Sequence, residues 1–482
     1  MTDLIFNLCD DRLEKANSVY LIESFGQLPR ELFSERELGY IQSEIENKKY
    51  FIALNYYYNW AYIVFSEPDE NIYIRNEELR KLGVQLLKHA KENEVVFLNV
   101  VDELKVKDLT LAFLEGVGLS SYSFDKYKTT KSNTKKSMRV NIFSTTMKES
   151  DIESLEVVLS GVLKVRDLVN EPASYLTSTV LADEASLLGK TAGITVKTFR
   201  KEDIEKLKMG GILAVNKGST EPPTFTVMEW RPANHKNVKP IVLVGKGVTY
   251  DTGGLSLKPT ENSMDEMKSD MAGAAVVINV ISAIARLKIP VYVISLIPST
   301  DNRLSADSYA PGDVIRMYDG TTVEVLNSDA EGRLILADAL TYAKQFDPEL
   351  TIDVATLTGA AARAIGEKGS VVMGNPPHQV IQNLIDSGFR TNERLVEFPF
   401  WNDYADELKS EIADMKNIGS NLAGAITAGK FLEKFAPKSF VHIDIAGTAF
   451  YNRARDYYSV GGTGFGVRLL TDFIIRYYND GK

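Results

Sequence analysis

From about residue 176 onward the chain repeats one pattern: a helical period, a short apolar run, a turn containing glycine, then another helical period. The runs Gly211–Val215, Thr224–Trp230, Ile241–Val244, Val291–Ile297, Thr322–Leu326, Leu350–Ala355, Ser370–Met373 and Val441–Ile445 are all short enough to be strands. Several are apolar at consecutive positions, and a strand without a polar face has to be covered on both sides. The spacing therefore predicts an α/β/α fold, with helices on both faces of a mixed, mainly parallel sheet of about eight strands.

At 482 residues the chain is longer than one core usually supports, so a second domain is expected. Residues 1–150 alternate apolar runs (Ser18–Ile22, Tyr50–Leu54, Ala61–Phe65, Val95–Val101) with helical patterns such as Asn76–Asn93, which predicts a smaller N-terminal α/β domain. Within it, His89 reads as solvated on a charged helix and Tyr56–Tyr58 as strand packing. The basic stretch Lys126–Arg139 reads as a solvated loop, with a weak nucleic-acid or partner contact as the alternative. Ser150 and Glu153 have the spacing of a capping box, and Pro172 ends the apolar stripe that follows. Residues 151–172 are thus expected to form a linking helix, and 173–482 the larger domain.

A net charge of -10 and a pI near 5.2 argue against coating nucleic acid or an anionic membrane. The single cysteine, Cys9, excludes an internal disulfide and any multi-cysteine metal site, and it fits a reducing compartment. The first residues lack a basic segment ahead of an apolar one, and no apolar run reaches the ~18 residues of a membrane span. A cytoplasmic protein is expected, with neither membrane nor nucleic acid as partner.

Chemistry concentrates in two stretches that follow predicted strands. One runs from Lys246 through Asp251 and Lys258 to Asp270, on a helix predicted from Met264; the other is Asn327-Ser-Asp-Ala-Glu-Gly-Arg-Leu334. Read as extended, the second projects Asp329, Glu331 and Arg333 to one side. Four carboxylates packed together would repel and take up protons unless cations were present, so a two-metal centre is the economical reading; a salt-bridge network is the alternative. Lys246 is able to join as a neutral amine. Dinucleotide and phosphate-loop motifs fail by spacing, and no H-E-x-x-H helix occurs. His235, His378 and His442 are scattered and read as packed or solvated.

Asn327–Leu334 resembles the signature of the leucyl (cytosol) aminopeptidases, with Ser328 where threonine is usual. Gly245–Gly254, Lys258, Lys268–Met271, Asn170–Pro172, Pro311–Asp313 and Asp353–Gly359 are similar to further motifs of that family, in the same order. The resemblance covers about 160–482. It implies an aminopeptidase that removes the N-terminal residue, preferably Leu- or Met-like, from peptides with a free N-terminus, by a two-metal, bicarbonate-assisted mechanism. The implied ligands are Lys246, Asp251, Asp270, Asp329 and Glu331; the ions are zinc or manganese, with magnesium or cobalt as alternatives. Lys258 would polarise the scissile carbonyl, and Arg333 would hold the bicarbonate. The implied pocket for the first residue involves Met267, Thr356, Leu357, Gly359, Ala446 and Ala449. Relatives usually carry an apolar residue at Arg303, and the resemblance also implies a homo-hexamer. A two-metal phosphoesterase is the rival enzyme reading, and a second role in DNA binding the rival outside catalysis.

Overall fold

Helical periods and short apolar runs resolve into two α/β units in the computed structural model, which describes residues 3–10, 16–130 and 137–479. One unit comprises the chain up to Ser160 together with Arg453–Ser459; the other comprises Gly161–Asn452 and the chain from Val460.

The smaller unit contains β1 (Asp3–Leu8), β2 (Ser18–Ile22), β3 (Phe51–Asn55), β4 (Trp60–Phe65), β5 (Phe97–Asp102) and β6 (Ser137–Phe143), in the order β1-β6-β5-β2-β4-β3. All neighbours are parallel except β3 and β4. Its helices are α1 (Glu35–Glu46), α2 (Ile72–Glu92) and α3 (Lys107–Leu119). The last two approach backbone to backbone, since a Cβ on Gly116 would lie 2.0 Å from the Arg80 carbonyl oxygen.

Three local expectations change here, and that for the basic stretch changes only at its end. His89 is not solvated but half-buried, packed edge-on against Trp60 and Tyr62, because its helix face turns toward the sheet. Tyr57 and Tyr58 do not pack in a strand; they sit at the turn between β3 and β4 and are 88 % and 93 % exposed. Residues 131–136 of the basic stretch lie outside the described residues, and 137–139 already belong to β6. Finally, α4 (Glu149–Asn170) starts one residue before Ser150: the Lys148 amide donates to the Asp151 carboxylate at 2.9 Å, so no Ser150 capping box forms.

In the larger unit the strands are β7 (Thr195–Phe199), β8 (Thr224–Trp230), β9 (Ile241–Gly245), β10 (Gly247–Asp251), β11 (Val293–Asn302), β12 (Val314–Arg316), β13 (Thr322–Glu324), β14 (Leu350–Ala355), β15 (Ser370–Gly374), β16 (Leu395–Glu397), β17 (Met415–Lys416), β18 (Phe440–Asp444), β19 (Phe450–Tyr451) and β20 (Gly461–Gly462), the last two forming a small sheet of their own. Among the described residues the main sheet has nine strands, β16-β15-β18-β14-β9-β11-β8-β7 with β10 beside β11. Its centre, β18-β14-β9-β11, is parallel, and antiparallel pairs flank it. The helices are α5 (Ser178–Ala192), α6 (Lys201–Leu207), α7 (Gly210–Asn216), α8 (Ala272–Arg286), α9 (Gly332–Ala343), α10 (Gly359–Ile365), α11 (His378–Thr391), α12 (Gly424–Phe435) and α13 (Val467–Asn479).

Val242 and Val244 of β9 join Leu334–Ala337 of α9 and Phe431 of α12 in one core, while α8 packs along β9, β11 and β14. Each such Val, Leu or Ile contributes roughly 1.5–3 kcal/mol on full burial. The stretch Met264–Arg286 is long and apolar enough to cross a membrane, yet 89 % of its most apolar window is buried in the fold, as suits a core helix.

Two predicted strands are corrected. Gly211–Val215 lies in α7, where Ile212 and Val215 are buried and Leu213 and Ala214 less so, a helical spacing that a five-residue apolar run does not reveal. Thr322–Leu326 is reduced to β13, which belongs to a separate sheet with β12 and β17. The predicted helix from Met264 is a 3-10 turn, Met264–Ser269, followed by α8.

Candidate metal centre

Because β11, β9, β14 and β18 are parallel, their carboxyl ends share one edge of the sheet, where open α/β sheets bind ligands. Lys246 follows β9, Thr356 follows β14, Asn302 closes β11, and Asp251 closes β10 beside it. Asp270 lies between the 3-10 turn and α8. The segment 327–331 is a turn rather than an extended strand, and Glu331 is the N-cap of α9 with helical backbone angles. Asp329 and Glu331 therefore face the lysines, whereas Arg333, in the first turn of α9, faces Asn417.

The candidates form two linked groups. Lys246 Nζ lies 2.7 Å from Asp270 Oδ1 and 2.9 Å from Glu331 Oε1, and donates to the Thr356 carbonyl at 2.9 Å. Room for it depends on Gly332, where a Cβ would come within 2.4 Å of Lys246 Cε. Lys258 Nζ lies 2.9 Å from Asp251 Oδ2 and 2.5 Å from Asp329 Oδ1. One oxygen from each of Asp251, Asp329 and Glu331 falls within 4.8 Å of the others.

Burial, then the neighbouring Glu331, pushes the Asp251 carboxyl up to about 7. Burial also raises Asp270 and Asp329, with Lys246 and Lys258 respectively opposing the rise. Glu331 is the exception: burial works against its charge, but Lys246 and Lys258 hold it below its ordinary value. Both lysines are raised, since the surrounding carboxylates outweigh the burial that disfavours an ammonium.

Four carboxylates against two ammonium groups leave negative charge in excess, with Lys246, Asp251, Asp270 and Glu331 buried. Asp270 Oδ2 and Glu331 Oε2 are buried without a hydrogen-bond partner among the described residues. Unpartnered carboxylate oxygens and excess negative charge are what oxygen-ligated divalent cations satisfy, so these residues fit such ions. Arg333 donates Nη1 to the Asn417 carbonyl at 2.8 Å, and its Nε has no partner among the described residues; burial lowers its pKa to about 10.

Of the predicted pocket, Thr356 turns its hydroxyl to Asp270 at 2.8 Å, and Met267 sits on the 3-10 turn leading to Asp270. Leu357 and Ala446 are brought together by one carboxylate, Asp444, whose Oδ1 accepts both backbone amides at 3.1 Å. Gly359 is exposed at the start of α10, and Ala449 is buried, its carbonyl accepting from the Thr463 amide. Arg303 reaches back to Asp301 at 2.7 Å and lies over the Tyr250 ring, 4.6 Å from its centre. Among the histidines, His442 pairs with Asp353 in the core at 2.7 Å, His235 bonds the Asn237 carbonyl, and His378 is exposed.

Several structuring residues had no sequence signal of their own. Asn417 links the Leu326 amide, the Asn327 carbonyl and Arg333; Asn302 and Tyr309 both donate to the Ser328 carbonyl. The Ser328 hydroxyl accepts from the Ser256 amide and donates to the Gly253 carbonyl, so the residue that departs from the usual motif joins the two stretches. The predicted strand ends at Ile297, so only the extension of β11 to Asn302 places this residue at a central strand's carboxyl end.

The catalytic-domain pattern of the cytosol aminopeptidase family matches residues 164–471. A probable cytosol aminopeptidase of Chlorobium phaeobacteroides is 45 % identical over 387 residues, covering 77 % of this chain and 76 % of that protein. One from Geobacter sulfurreducens is 44 % identical over 366 residues, covering 75 % and 73 %. Among solved structures, the bottromycin maturation enzyme BotP in complex with Mn gives a TM-score of 0.84 at 27 % identity, over 95 % of this chain and 99 % of that one. A tomato leucine aminopeptidase variant gives 0.85 at 27 % identity, over 98 % and 97 %.

Proposed function

Since the chain belongs to the cytosol aminopeptidase family, whose members are metal-dependent hydrolases of peptide N-termini, we propose that its acidic cluster is a two-metal centre. In this reading Asp251, Asp270, Asp329 and Glu331 would hold zinc or manganese, with Lys246 joining as a neutral amine once adjacent dications depress its pKa. The observation that carries it is the buried excess of negative charge, with Asp270 Oδ2 and Glu331 Oε2 unpartnered.

Two bound divalent cations would supply Lewis-acid polarisation of the peptide carbonyl and a lowered pKa for the attacking water. The remaining work falls to side chains. Lys258, held charged by the carboxylates around it, stabilises negative charge developing on the carbonyl oxygen. A substrate's free, neutral α-amine would be a further ligand for such a centre, consistent with cleavage at the N-terminus only. Arg333, oriented through Asn417, would hold a bicarbonate through its Nε, and that bicarbonate would supply the general base. Asp444 braces Leu357 and Ala446, which with Met267, Thr356, Gly359 and Ala449 would form an apolar pocket suited to Leu- or Met-like residues. A homo-hexamer in the cytoplasm completes the proposal, and sedimentation velocity checks the assembly.

The test is metal content per chain with hydrolysis of leucyl and methionyl anilides, before and after chelation. About two ions per chain and a chelation-sensitive activity are expected. Hydrolysis of a phosphodiester but of no aminoacyl anilide would replace this reading with the phosphoesterase one.

A further inference from the structure

Asn302, at the end of β11, is fully buried at 0 % exposure. Its Nδ2 donates to Asp251 Oδ1 at 2.9 Å and to the carbonyl of Ser328, the residue before Asp329, at 3.0 Å. One amide thus ties together the two segments that supply the acidic cluster.

Asp251 Oδ1 also accepts the Gly253 amide at 2.8 Å. With that oxygen held by two N–H donors, Oδ2 is left to face the centre, where it meets Lys258 at 2.9 Å. Without Asn302, Oδ1 would keep only the Gly253 amide, and rotation of the carboxylate would be restrained by that bond and the Lys258 contact on Oδ2. The Ser328 carbonyl would keep only the Tyr309 hydroxyl, at 2.7 Å.

We propose that Asn302 is a positioning residue of the metal centre, selecting the Asp251 oxygen presented to the cations and holding the Asp329 turn in reach of the same ions. The proposal rests on the metal-centre reading above. Hydrogen bonds that orient metal ligands commonly matter by 10–100-fold in affinity.

Asn302→Leu keeps the branched shape and removes both donors; Asn302→Ala is the smaller alternative should the leucine not fold. Mn2+ is titrated calorimetrically into metal-stripped wild-type and variant chains, alongside circular dichroism and steady-state kinetics. The expected result is an unchanged dichroism spectrum, Mn2+ binding weakened by about 10–100-fold, and turnover that recovers when Mn2+ is raised in proportion. Unchanged Mn2+ affinity, or a loss of turnover that saturating Mn2+ does not restore, would overturn the positioning role while leaving the metal centre intact. A wild-type chain that takes up no Mn2+ would overturn the metal reading itself, and this inference with it.

Discussion

Lys258 bridges Asp251 and Asp329 without being needed to neutralise them once cations are present. Its removal leaves the carboxylate ligands in place and takes away one competing positive charge. Lys258→Ala is therefore expected to keep its metal content while kcat falls by about 10²–10³-fold, as when one oxyanion donor is lost. Elemental analysis beside steady-state kinetics checks this, and loss of metal would make Lys258 structural instead. At this scale the carboxylates and lysines were legible because acids two residues apart, next to Arg333, form a recognisable pattern. Asn302, Asn417 and Asp444 were not, because their partners lie far away in the chain and one isolated polar residue has no spacing to read.

The elements hold these side chains through close packing and shared hydrogen bonds. Gly332 starts α9 against Lys246, so Gly332→Ala should displace the amine and weaken Mn2+ binding by about tenfold or more, with helix content unchanged by circular dichroism. Deeper in α9, the buried Asp338 accepts the Ile212 amide of α7 at 2.9 Å and the Tyr318 amide at 3.0 Å. Burial pushes this carboxyl up to about 7 from an ordinary 3.8, although the amide bonds pull it down. In this window, from about pH 4 to 7, the folded chain keeps a proton that the unfolded chain has released, so Asp338's contribution to stability declines as pH rises. The stability difference between metal-saturated wild type and Asp338→Ala should accordingly shrink from pH 5 to pH 8, as measured by urea unfolding at each pH. The α7–α9 contact also explains the misread strand, because Gly-Ile-Leu-Ala-Val suits either state and only its packing against α9 selects the helix.

For the molecule as a whole, the acidic cluster is a cost to folding that ligands relieve. Each cation that binds only the folded chain stabilises it by about 2.7 kcal/mol at a hundredfold excess over Kd, so in a chain of this size chelation should lower Tm by roughly 3–4 °C for each ion removed. Thermal scans at fixed protein concentration, with chelator and then with excess Mn2+, measure the effect, and an unchanged Tm would count against buried cation sites. The sequence by itself determined the α/β class, the parallel core strands and the identity of the acidic and basic groups, because period, apolarity and charge are local properties. Only the tertiary structure decided that β13 stands outside the main sheet, that Asp329 and Glu331 lie on a turn into α9, and that Asn302 joins Asp251 to Ser328. The physical reason is that hydrogen bonds and close packing between residues distant along the chain leave no period or spacing in it.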